Sequence, residues 1–119
     1  PESVQNPSLY YKNNFIVTLS LVDKLIECGV KTFVYSSSAA TYGDPGLNKC
    51  KESDVPNPIS AYGGSKLMIE MMCKDYMTAY GLSSVGLRLS MPQDKVIHSS
   101  CLETNTLQKT EPVSETTYT

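Results

Sequence analysis

One pattern occurs twice along this chain and sets its fold class. "ECGVKTFVYSS" at residues 27–37 and "AYGLSSVGLRLS" at residues 79–90 share one order. Each gives the end of a helix, a glycine, an apolar residue, a polar step, a short run of strand formers and a closing serine. Thr32, Phe33, Val34 and Tyr35 carry no polar alternation, so this first strand is expected to be covered on both faces, as in a parallel sheet. A helix-length segment separates the two strands. Strand, crossover helix and strand make a parallel pair, and the expected class is α/β with a doubly wound parallel sheet. Ligands of such sheets sit beyond the carboxyl ends of the strands. Ser36, Ser37 and Ser38 fall at that end of the first strand.

The helix limits can be read locally. Asn6 is a good N-cap and Pro7 fits the first helical position. Phe15, Leu19, Val22 and Ile26 recur on one helical face, and Gly29 marks the stop. Ser60 caps a second helix over Ala61–Tyr80, ended by Gly81. Its Met68, Met72 and Tyr76, with Ile69 alongside, read as core packing. The intervening "TYGDPGLNKCKESDVPNPIS" is rich in turn formers and reads as a long loop. From Met91 the chain turns polar, with six threonines and no clear period. Residues 91–119 are expected to be a polar tail without fixed structure, in which His98 is solvated. Residues 1–90 are the folded part.

Composition closes several other routes. The net charge is −2, which offers no electrostatic footprint for nucleic acid or an anionic membrane. No apolar run approaches the roughly 18 residues of a membrane span. Cys28, Cys50, Cys73 and Cys101 form no C-x-x-C pair, and reduced thiols in a cytoplasmic protein are the expectation. The first residue is Pro1, with no capping or strand signal, so the chain reads as beginning inside something longer.

"AYGGSK", residues 61–66, sits at the start of the second helix with two adjacent glycines, each costing roughly 1 kcal/mol against alanine. Tyr62 and Lys66 are four apart and share a helical face. An ammonium beside a phenol favours the phenolate, and such a tyrosine serves as general base and then general acid. Lys66 carries three donors that can also hold sugar hydroxyls. Ser38 would aim a hydroxyl at the same reacting oxygen.

Three separated blocks, "ESVQNPSLYYKNN", "VYSSSAATYGD" and "ESDVPNPISAYGGSKLMIE", together resemble the NAD-dependent epimerase/dehydratase members of the extended short-chain dehydrogenase/reductase family. The resemblance runs from Glu2 to Arg88. It implies a partial Rossmann-like domain over residues 1–90, NAD as cofactor and a UDP-sugar as substrate, oxidised and reduced at C4. It implies that Tyr62 is the catalytic tyrosine and that Lys66 binds the nicotinamide ribose and lowers the tyrosine pKa. Ser38 would hydrogen-bond the sugar 4-oxygen, and Asn13 and Ser36 would lie with the cofactor. Close approach of cofactor and substrate would account for Gly63, leaving Gly64 without a reason. Dehydratases of the family place an Asp-Glu pair where this chain has Ala39 and Ala40, which favours an epimerase. The two helices would form the surface of a homodimer.

The same resemblance marks departures. The glycine-rich phosphate loop and the acidic ribose partner are missing. "RLSMP" stands where Arg-Tyr-Phe-Asn-Pro is usual, so Met91 replaces a substrate-binding asparagine. The usual glycine before Thr18 is missing too, and the polar tail stands in place of a substrate domain. The expectation is therefore a fragment or shortened form of an epimerase without independent turnover. The alternatives are a non-catalytic truncated isoform or pseudoenzyme, or another nucleotide-sugar modifying member.

Overall fold

The structure is a computed structural model describing residues 2–44, 50–89 and 96–100, the last by backbone alone. It opens with two short helices, α1 (Glu2–Gln5) and α2 (Pro7–Tyr10), followed by a π-helical segment over Tyr11–Ile16 and by α3 (Val17–Glu27). The Asn6 side chain accepts from the Leu9 N–H at 3.4 Å, and Pro7 stands at the helix start. Tyr10, Tyr11, Ile16 and Val17 all keep right-handed helical angles. The single helix expected from the sequence is thus one rod with a wide turn inside it, where the Val17 N–H reaches back to Lys12 O. Its end closes on Gly29, whose N–H donates to Ile26 O while the Val30 N–H donates to Leu25 O. These are the paired bonds of a Schellman stop.

Strand β1 (Thr32–Ser38) leads into a 3-10 helix over Ala39–Tyr42. After the loop, α4 (Ala61–Tyr80) carries the chain back to β2 (Ser83–Leu89), which pairs parallel with β1 from Thr32↔Ser83 to Ser38↔Leu89. The strand–helix–strand unit is the one the repeated pattern predicts. Ser60 caps α4 by accepting from the Gly63 N–H at 3.1 Å, and Gly81 ends it in the left-handed region. The sequence predicts no element after residue 90. Val96–Ser100 form β3, antiparallel to β2 with His98 opposite Leu87. The other residues of the 91–119 segment, Met91 among them, lie outside the described residues.

Val22, Ile69, Met72, Cys73 and Leu82 make the core, with Phe15, Leu19, Ile26, Phe33, Tyr35 and Tyr76 packed around it. The predicted apolar face of Phe15, Leu19, Val22 and Ile26 is present in full, with Phe15 on the π-helical segment and the others on α3. On α4 the packed face is Ile69, Met72, Cys73 and Tyr76, so Met68 turns outward at 37% exposure.

One expectation about the sheet needs correction. Phe33, Tyr35 and Ser37 pair with Ser84, Gly86 and Arg88 beneath the helices. The opposite face carries Val34, which is 59% exposed. Among the described residues the sheet is covered on one face only. Absence of alternation marks apolar character on both faces of a strand, and it says nothing about which segment supplies the second cover.

A buried polar unit joins α4 to both strands. Glu70 accepts from Arg88 Nε at 2.9 Å and Arg88 Nη2 at 2.5 Å, and from the Ser37 hydroxyl at 2.5 Å. The Glu70 hydrogen bond is the main cause raising Arg88 further above the ordinary arginine pKa, against the opposing cost of burial. The Arg88 guanidinium also stacks over the Tyr42 ring, 4.6 Å from its centroid. Burial raises the Tyr42 hydroxyl pKa, and neighbouring Arg88 pulls it back.

Candidate active site

Parallel strands deliver their last residues to one edge, and a crossover helix starts from that edge. The consequence here is a pocket of about 440 Å³ lined by Ser36, Ser37, Ser38, Ala39, Ala40, Tyr62 and Leu89. It lies at the carboxyl ends of β1 and β2, where a sheet of this class offers its ligand site.

Each side chain is set by its element. Side chains alternate along a strand, so Ser37 points under α4 to Glu70. Ser38 ends the strand with extended backbone and caps the 3-10 helix, its Oγ accepting from the Ala40 N–H at 3.1 Å. The Thr41 hydroxyl donates to Ser38 O at 2.9 Å, so the turn is held from both sides. An accepting bond leaves the Ser38 proton available for another oxygen.

Tyr62 stands in the first turn of α4. Lys66 lies one turn on, its Nζ 6.0 Å from the Tyr62 ring centroid and 3.2 Å from Ser36 O, to which it donates. The Tyr10 ring meets Tyr62 edge-on, with centroids 6.1 Å apart and planes at 89°. Tyr10 is itself held by donation to Glu2 at 3.1 Å, and that bond is the chief cause keeping its pKa above the ordinary tyrosine value. Ser36, Ser38, Tyr62 and Lys66 are therefore brought together. Asn13 is not among the pocket residues. It is exposed on the π-helical segment, and its neighbour Asn14 is the one that reaches α4, donating to Ser65 Oγ at 3.0 Å.

The structure also explains the two glycines. A Cβ on Gly63 would stand 2.4 Å from Ala40 O and 3.1 Å from Pro58 Cβ. The crowding comes from the chain's own 3-10 turn, which differs from the expected crowding by ligands. A Cβ on Gly64 would meet only the Tyr11 hydroxyl, at 3.0 Å. Sequence reasoning missed Tyr10, Asn14, Ser65 and the Glu70–Arg88 pair. Signals existed for the last: Glu70 follows Ile69 on the packed side of α4, and Arg88 interrupts an apolar strand.

Residues 1–92 match the NAD dependent epimerase/dehydratase family, and the chain belongs to that family. It is 48% identical over 87 residues to the UDP-glucose 4-epimerase of Halalkalibacterium halodurans, covering 73% of this chain and 26% of that one. It is 44% identical over 88 residues to the UDP-glucose 4-epimerase of Azospirillum brasilense, covering 74% and 25%. Among solved structures, UDP-glucose 4-epimerase from Brucella ovis in complex with NAD superposes with a TM-score of 0.70 at 45% identity, covering 73% of this chain and 27% of that chain. The enzyme from Thermus thermophilus, also in complex with NAD, gives 0.68 at 34% identity, covering 72% and 28%. The chain thus spans about a quarter of the length of the curated relatives it matches, and its fold is a partial Rossmann-like α/β unit.

Proposed function

We propose that these residues form the catalytic edge of an NAD-dependent 4-epimerase acting on a UDP-sugar of the UDP-glucose/UDP-galactose type. The observation that carries the reading is that Ser38 and Tyr62 line one pocket beyond the sheet, with Lys66 beside it, bonded to the pocket residue Ser36 and 6.0 Å from the Tyr62 ring centroid. The named relatives and the family match support it.

The residues fit one end of the cofactor. Lys66 spends one N–H on Ser36 O and keeps two for ribose hydroxyls. Ser36 fixes that ammonium, and exposed Asn13 would meet the cofactor from the π-helical segment. The sequence holds no glycine-rich turn for the pyrophosphate. NAD, when bound, supplies the acceptor and donor of two electrons at the sugar's C4. Tyr62 takes the proton from the 4-hydroxyl as C4 is oxidised, and returns it to the same oxygen when C4 is reduced from the other side. Ser38 donates its free O–H to that oxygen and holds it beside Tyr62. Ala39 and Ala40 put no carboxylate at the pocket wall, which suits epimerisation over water elimination.

No helix among the described residues is long and apolar enough to cross a membrane. A cytoplasmic location belongs to the same proposal and is supported by the four widely spaced cysteines, which form no C-x-x-C pair. Self-association through α3 and α4 is part of the same reading. It is supported by exposed Ile16, Val17 and Leu21 on one side and Met68 and Met71 on the other.

The test is Tyr62→Phe in the complete enzyme with UDP-sugar and NAD. Turnover is expected to fall by about a hundred- to ten-thousandfold, the range of general acid–base catalysis. Full turnover in that variant would remove Tyr62 from the chemistry.

A further inference from the structure

We propose that Asn14 and Ser65 form a clasp that positions Tyr62, and that the π-helical turn exists to present Asn14 to it. The proposal rests on the reading of Tyr62 as the reacting residue, but its geometry and its test do not depend on turnover.

The chain of bonds is short and directional. Ser65 is fully buried. Its hydroxyl donates to Tyr62 O at 2.8 Å. A serine has one O–H, so that proton is spent, and only lone pairs remain for Asn14. The Asn14 amide N–H supplies the matching donor at 3.0 Å. The donor order Asn14, Ser65, Tyr62 O is therefore fixed by counting protons. It ties the backbone of the first turn of α4 to a helix 51 residues earlier in the sequence.

The wide turn serves this contact. Tyr10 touches the Tyr62 ring, Tyr11 faces Gly64, and Asn14 reaches Ser65. Tyr10 at the end of α2, with Tyr11 and Asn14 of the π-helical turn, thus meets the first turns of α4 at Tyr62, Gly64 and Ser65. π-helical bulges recur at functional sites because they rotate side chains that a regular helix would aim elsewhere. Here the bulge lies beside the one turn whose rotation decides where the Tyr62–Lys66 face points. Together these contacts hold the ring from its edge and the backbone from below.

The discriminating variant is Asn14→Asp, which keeps size and shape but replaces the donor with an acceptor. The Ser65 proton is then drawn to the carboxylate and Tyr62 O is released. In the full 119-residue chain carrying labelled tyrosine, the Tyr62 ring resonances are expected to move and the Tyr10–Tyr62 ring cross-peak to weaken. Amides 63–66 are expected to exchange about tenfold faster, the loss of one net hydrogen bond. Amides of α3 and of the β1–β2 pair are expected to keep their rates. Ser65→Ala, which introduces the best helix former, is the second variant and is expected to give the same local signature without loss of fold. Unchanged Tyr62 resonances and unchanged 63–66 exchange in both variants would overturn the clasp. So would a uniform rise in exchange across the whole molecule in both, because that marks general packing without positioning.

Discussion

Replacing Glu70 by alanine is expected to lower the stability of this chain by about 3–5 kcal/mol, the cost of leaving one partner of a buried ion pair alone. Glu70 and Arg88 are both nearly buried, with side-chain exposures of 7% and 8%. Their bond is bidentate and is completed by the Ser37 hydroxyl. Removing the carboxylate leaves a guanidinium facing the Tyr42 ring and a serine hydroxyl without its acceptor. The contact of Arg88 with the Tyr42 ring is already made when Glu70 is present, so it offers no new gain to offset the loss. Urea unfolding of the parent and Glu70→Ala checks this. A drop below about 1 kcal/mol would show a pair that behaves like an exposed surface bridge. The double change Glu70→Leu with Arg88→Met should recover much of the loss, since buried pairs are often replaceable by packed apolar groups.

The second large effect is expected at Gly63. Alanine there drives a methyl to 2.4 Å from Ala40 O, a distance no packed structure holds. Helix propensity favours alanine by roughly 1 kcal/mol, but overpacking costs about 1–3 kcal/mol and sometimes more. Packing wins because the obstacle is backbone, which cannot rotate aside. Gly64→Ala is the control. Its obstacle is the tip of the Tyr11 side chain, which can swing away, so that variant is expected to match the parent or gain up to about 1 kcal/mol. Thermal melts of the two variants should therefore move in opposite directions or differ clearly in size. Gly63→Ala has a further consequence: Ala40 and Tyr62 both line the pocket, so the shift that relieves the clash opens the site. Equal melting temperatures for both variants would contradict this account of the glycine pair.

Much of the framework was legible because it is decided locally. Asn6, Ser60, Gly29 and Gly81 act within a few residues of themselves, and each marks the limit it signals. The Tyr62–Lys66 face follows from helical spacing alone, and the serine run at the strand's end follows from topology. What stayed hidden depends on distant partners. The π turn at Tyr11–Ile16 leaves no mark in a four-three-four apolar pattern, because Phe15 to Ile26 lies almost wholly beyond it. Asn13 and Asn14 look alike in sequence, and only the helix rotation decides which one faces Ser65. Gly63 carries a signal, a costly residue in a helix, but its cause is a carbonyl more than twenty residues away. The open face at Val34 depends on cover that no residue in the strand specifies.

In the proposed reaction Ser38 and Tyr62 act on one oxygen. A double-mutant cycle on the turnover of the complete enzyme, with Ser38→Ala, Tyr62→Phe and both together, tests this, since the cycle reads coupling between neighbours. Ser38→Ala alone is expected to cost about a hundredfold, as for removal of one preorganised donor. With Tyr62 already removed, the same change should cost much less, roughly tenfold or under. Losses that simply multiply would mean that the two hydroxyls do not share a target.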